Sequence, residues 1–176
     1  MDSDELNALK ERAYNIAVEH GFHKDVKPDA YYLGLVMSEM GEAINADRKG
    51  LHADTKRFEE NMANGYLTPR VLFEKYIKDS VEDELADVVI RLLDLAGMKG
   101  YMPYVGTKAQ RTIDSSDAFL KFEESGMSGM MFYLMDFLAA GFDWDDLRNC
   151  IYNIMYILYD CFEKMTGSDR SEERRV

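Results

Sequence analysis

Cysteine is scarce in this chain of 176 residues, with Cys150 and Cys161 the only two. They stand eleven apart in a stretch that reads as one helix, about 16 Å along its axis at 1.5 Å per residue, which is beyond the reach of a disulfide. A stapled scaffold is excluded, and two free thiols fit a reducing compartment. Proline is as sparse, at three residues, and low-complexity tracts are missing, so order is expected everywhere but the ends. No run approaches the roughly 18 uninterrupted apolar residues of a membrane span. The opening MDSDELNALKER also lacks the apolar centre of a secretory signal. A cytoplasmic protein with no membrane partner is the expectation. Stretches of alternating polarity and repeats of fixed length are absent too, which removes strands and solenoids from consideration.

Positive charge is in deficit: 21 basic residues face 33 acidic ones, for a formal net charge of −12. That is the wrong sign for gripping duplex nucleic acid through its phosphates, and no nucleic-acid partner is expected. A small polyanion is a different case, because a metal ion that travels with it reverses the local sign. With 47% hydrophobic residues, the length suits one domain, residues 1–176, able to bury its own core.

What the chain does have is helical periodicity. Leu6, Leu9, Ala13, Ile16 and Ala17 make a stripe over residues 4–20, with Asp2 and Glu5 spaced as a variant capping box, and this helix should end at Gly21. After a connector, Pro28 suits the first turn of a second helix. Its stretch Tyr31–Ala46 is apolar or small nearly all round, and we read it as a buried helix carrying two acids, Glu39 and Glu42, that stops near Gly50. Residues 50–67 have no clean period and read as a long loop or irregular insertion. Thr68 and Pro69 form a cap and first turn. From there Phe73, Ile77, Val81, Leu85, Val88, Leu92 and Leu95 favour one long helix to Gly97, although Ser80 with Asp83 has the spacing of a fresh helix start. Gly97, Gly100, Pro103 and Gly106 mark a connector. A helix over about 115–140 follows, with glycines placed to bend it and a Met-rich, aromatic run from Met127 to Phe137 that reads as core or as an oligomer face. The last helix opens at Asp143, with Phe142 and Leu147 in staple positions and Asp146 at the third site, and runs to about Met165 before a frayed, charged tail. The fold class is therefore all-α, a bundle of about five helices.

Residues three apart on a helix lie side by side, so Glu39 with Glu42, and Glu84 with Asp87, each set two carboxylates on one face. Two such helices packed antiparallel surround an ion with hard oxygen donors, the environment of magnesium, or of manganese in its place. The spacing alone is common here: Asp79 with Glu82, Asp114 with Asp117 and Asp143 with Asp146 share it. Context separates Glu39 and Glu42, since charge stranded on an apolar helix demands a cation, a base or water. Glu84 and Asp87 are less isolated, because Arg91 and Asp94 continue their stripe as a surface salt-bridge ladder would.

The strings Glu39-Met-Gly-Glu42 and Glu84-Leu-Ala-Asp87 resemble the E-x-x-E and E-x-x-D motifs of the all-α nucleoside triphosphate pyrophosphohydrolases, the group of MazG-like enzymes and dimeric dUTPases. The flanking text EHGFH, LVMSEMGEAINADRKG and EDELADVVIRLLDLAG is similar to MazG-like members over about residues 10–97, half the chain. The resemblance implies the MazG-like all-α architecture and a divalent metal held by Glu39, Glu42, Glu84 and Asp87. It implies hydrolysis of a nucleoside triphosphate to the monophosphate and pyrophosphate, clearing the nucleotide pool, and assembly as a homodimer or homotetramer. Two departures stand out. The gap between Glu42 and Glu84 is longer than the family usually shows, an insertion over 50–79, and the C-terminal half lacks the tyrosine, asparagine and basic cluster by which many relatives hold phosphates.

Glu39 is expected either to ligate the metal or to orient the attacking water as base. Arg91, one turn after Asp87, is a candidate for a phosphate, the alternative being an ion pair with Asp87 or Asp94. Phe22 and His23 offer a stacking ring and an imidazole for a base, against the plainer role of a loop anchor. Lys49, Lys56 and Arg57 are the nearest basic candidates for the phosphate tail, against a solvated surface. A di-iron carboxylate site is excluded, because the residues three before His20, His23 and His52 are Ala17, His20 and Lys49, so no E-x-x-H exists. The rival that remains is a non-catalytic nucleotide-sensing or adaptor relative of the same fold.

Overall fold

The computed structural model describes residues 3–102, 115–143 and 147–165. Seven helices occupy them, with no strand among the described residues: α1 (Ser3–Glu19), α2 (Asp29–Arg48), α3 (Thr55–Asn64), α4 (Pro69–Tyr76), α5 (Val81–Met98), α6 (Ser115–Asp143) and α7 (Leu147–Met165). None is long and apolar enough to cross a membrane. Residues Lys27–Arg91 make one compact unit, and Met1–Val26 with Leu92–Val176 make another.

The unit of Lys27–Arg91 carries the acidic residues of interest. Pro28 is the residue before α2 rather than inside it, and Gly50 at φ 67° closes the far end as expected. α2 buries one face only, through Tyr32, Leu33, Val36, Met40, Ala43 and Ala46, while Gly34, Ser38, Gly41, Glu42 and Asn45 stay exposed. The reading of α2 as a buried helix is thus corrected: small residues made it look apolar all round. A second correction is α3, ten helical residues where an irregular loop was expected. Asp54 accepts the Arg57 amide at 3.0 Å at its start and Gly65 at φ 69° closes it, yet it buries no residue, so there was no apolar stripe to detect. The third correction is the helix expected to run unbroken to Gly97. It is two helices, because Ser80 Oγ accepts the Asp83 amide at 3.2 Å and the Asp83 carboxylate accepts the Asp79 amide at 3.0 Å. This reciprocal cap competes with continuation, and Asp79 takes φ 60° to allow it. Apolar periodicity runs through the break and concealed it. Thr68 with Pro69 does start α4.

In the second unit α1 ends before Gly21, at φ 80°. Lys10, nearly buried, donates from Nζ to the Tyr101 carbonyl at 3.2 Å, and the Tyr152 hydroxyl donates to the same oxygen at 3.1 Å. α6 is kinked at Gly126 (φ 63°, ψ −159°), in the glycine-bearing stretch expected to bend. Met127, Met130, Met131 and Leu134 are buried, whereas Phe132 is exposed. α7 carries both cysteines, and the Cys150 side chain is buried. The Asp2 cap, the Pro103–Gly106 connector, Asp114, the Asp143–Asp146 opening of the last helix beyond its first residue, and the tail from 166 lie outside the described residues.

Gly97 gives this unit a testable contact. A Cβ added there would stand 2.5 Å from the Cβ of Tyr14. Gly97→Ala gains helix propensity but overpacks the contact, for an expected net loss of about 1–2 kcal/mol. A thermal melt should read this as a fall of about 2–8 °C; a melt at or above wild type would mean that Tyr14 yields freely.

Candidate metal centre

α2 and α5 each bring acids to one place. Glu39 and Glu42 lie one turn apart on α2, and Glu84 opens α5 four residues after the cap at Ser80. One carboxylate oxygen from each of the three lies within 4.8 Å of the others. Ligands at the 2.0–2.1 Å of an octahedral magnesium sit roughly 2.9 Å apart when adjacent and roughly 4.2 Å apart when opposite. The three carboxylates could therefore hold a metal ion, and their chemistry is that of hard oxygen donors. Asp87 is not in that set, but it lies in its field.

The electrostatics say what such a cluster lacks. Glu84 is the buried member, 8% exposed. Burial, and then the charges of Glu42, Asp83, Asp87 and Glu39, push its carboxyl up to about 7. Asp87 is raised as well, by burial and by Asp83 and Glu39, with Arg91 pulling the other way. Burial and like charge favour the protonated form of both groups, and a divalent ion held there would oppose that shift.

Beside the cluster is a cavity of ≈ 290 Å³ lined by Glu42, Asn45, Ala46, Lys49, Leu51, Asp79 and Glu84. It is polar, and Lys49 is the one base among these lining residues. Its non-helical wall is held by α5's opening acids. Glu82 accepts the Ala53 amide at 2.8 Å and meets His52 Nδ1 at 3.3 Å, and Asp83 accepts the Asp79 amide. The Val81 amide donates to the Leu51 carbonyl at 2.9 Å.

Comparison with protein-family models, with curated proteins and with solved structures finds no match.

The expected site residues divide as follows. Glu39, Glu42 and Glu84 come together, with Lys49 on the adjoining cavity. Arg91 donates from Nε to Glu39 Oε1 at 2.9 Å, a partner not among those considered for it. The surface ladder of Glu84, Asp87, Arg91 and Asp94 is not formed, because Asp94 is buried and bonds His23 Nε2 at 2.7 Å. His23 also lies against the Tyr14 ring, centroids 5.3 Å apart. Phe22 is largely exposed and stacks on His20 at 6.3 Å. Both belong to the unit that does not carry the carboxylates. Lys56 and Arg57 are exposed on α3, Arg57 beside Asp54. Sequence reasoning overlooked Asn45 and Asp79 as cavity residues. Asn45 is three past Glu42, on the same face, and Asp79 precedes the Ser80 cap, so both had a readable signal.

Proposed function

We propose that this chain is a magnesium-dependent nucleoside triphosphate pyrophosphohydrolase of the MazG-like kind, acting on the nucleotide pool as a homo-oligomer in the cytoplasm. The observation that carries the reading is the meeting of Glu39, Glu42 and Glu84 from two helices, with the buried member in need of a cation. A magnesium ion held there would neutralise charge on the phosphates, which is most of what phosphoryl chemistry asks of a protein. Glu42 and Glu84 are its proposed ligands, with Asp87 reached directly or through water. Glu39 has one oxygen engaged by Arg91, which leaves the other to ligate or to orient an attacking water as base. Lys49 stands where a phosphate in the adjoining cavity would meet it. Arg91 balances Glu39 and would turn to phosphate only by leaving it.

Pyrophosphate release from a panel of standard and modified nucleoside triphosphates, with magnesium and with chelator, tests the proposal. Magnesium-dependent release by wild type, lost in the Glu42→Ala, Asp87→Asn double variant, is the expected outcome. Equal rates for the two proteins across the panel would leave the non-catalytic sensor or adaptor as the better reading.

A further inference from the structure

Glu84 is held in the acidic cluster by burial, but Glu39 is only half-buried and its long side chain has rotamers to settle. Arg91 settles them. Glu84, Asp87 and Arg91 stand at i, i+3 and i+7 on one face of α5, so the helix that supplies the buried acid also aims a guanidinium at an acid of α2. Its Nε donates to Glu39 Oε1 at 2.9 Å, a charge-assisted bond in which the Glu39 side chain is 12% exposed and that of Arg91 37%.

We propose that Arg91 is a positioning residue of the carboxylate centre. Acting through Glu39 alone, it holds that carboxylate in place beside Glu42 and Glu84 and leaves it one oxygen for a cation. The inference rests on the reading of this cluster as a metal centre. The charge of Arg91 works against such a centre, because a guanidinium near a divalent ion repels it through space. What Arg91 contributes is therefore direction: its Nε–H points where the planar group and the chain aim it, and the carboxylate that accepts it is fixed. Service as a phosphate ligand would break this bond and leave Glu39, mostly out of water, facing two other acids without its base.

Direction can be separated from charge at this position. Glutamine carries its amide nitrogen the same number of bonds from Cα as the arginine Nε, so Arg91→Gln removes the charge and keeps a donor, whereas Arg91→Met, of similar length, removes both. The test is manganese affinity measured without nucleotide, from the paramagnetic resonance of the free ion, with circular dichroism to show that each variant is folded. Arg91→Leu takes the place of Arg91→Met should that variant misfold. The glutamine variant should bind manganese at least about tenfold more tightly than the methionine variant, the size of effect expected when the partner of a metal ligand is removed. In a Glu39→Ala background, where no carboxylate is left to hold, the difference should shrink to within about twofold. Equal affinity for the two variants, or a difference that persists without Glu39, would overturn the proposal. So would equal manganese affinity with a raised nucleotide KM in both, which would make Arg91 a substrate contact. A wild type that binds no manganese would instead remove the metal centre itself, so the two failures are told apart.

Discussion

Glu84→Gln is expected to separate metal binding from stability by moving them in opposite directions. Magnesium affinity, measured by calorimetry or by competition with manganese followed by its paramagnetic resonance, should fall at least about 100-fold, since even groups behind a metal ligand cost 10- to 100-fold when removed. Pyrophosphate release, if the proposed reaction is the right one, should fall with it. The metal-free protein should nonetheless become more stable at pH 8. There the wild-type carboxylate is ionised against burial and against Glu42, Asp83, Asp87 and Glu39, and glutamine of the same shape escapes that cost. The gain has an upper bound of about 3 kcal/mol. A variant that bound magnesium as wild type does would remove Glu84 from the site. One that lost stability at pH 8 would show that its charge is compensated in a way the carboxylate cluster does not provide.

The same residue sets the direction of the pH dependence. Burial and neighbouring acids push the Glu84 carboxyl up to about 7 from an ordinary 4.5, and Asp87 is raised too. Between those two values Glu84 holds more proton in the native state than in the unfolded chain, so its contribution to stability is fully present below about 4.5 and is lost as pH climbs through about 7. Without metal, the loss from Glu84 has that same upper bound, and its direction should be visible in urea midpoints taken across the window. Magnesium should erase the slope at its upper end, because the ion replaces the proton, and binding near pH 6 should release close to one proton per ion. Calorimetric titrations in two buffers of different ionisation enthalpy would count it. A metal-free protein that grew steadily more stable from pH 5 to 8, or metal binding with no proton release at pH 6, would contradict this account.

Much of the helical layout was legible because burial leaves periodicity in the residues. α1, α2 and the later helices announced themselves in this way, as did the Thr68–Pro69 start of α4 and the bend near Gly126. What stayed hidden was built from local hydrogen bonds. α3 rests on Asp54 and Gly65 with no buried side chain, and the α4–α5 break rests on Ser80 and Asp83 while Phe73, Ile77, Val81 and Leu85 keep their spacing across it. The carboxylates were legible as pairs, but their environments were not. Glu39 and Glu42 were expected to be the stranded acids, and Glu84 to be either a metal ligand or a member of a surface ladder. Instead Glu42 is exposed and Glu84 is buried. Exposure of a helix face depends on what packs beside it, and a run of Gly, Ser and Ala reads alike in either setting.

The α3–α4 pair stands on two stems joined to each other by the Asp54 amide and the Tyr76 carbonyl, 2.9 Å apart. Of its residues only Leu72 is buried, and Tyr66 near its tip is 90% exposed. No residue beyond that bond lines the cavity beside the carboxylates, whose walls include Leu51 and Asp79 on the near side of it. The tip between Gly65 and Thr68 is therefore where a change of length disturbs the walls of that cavity least.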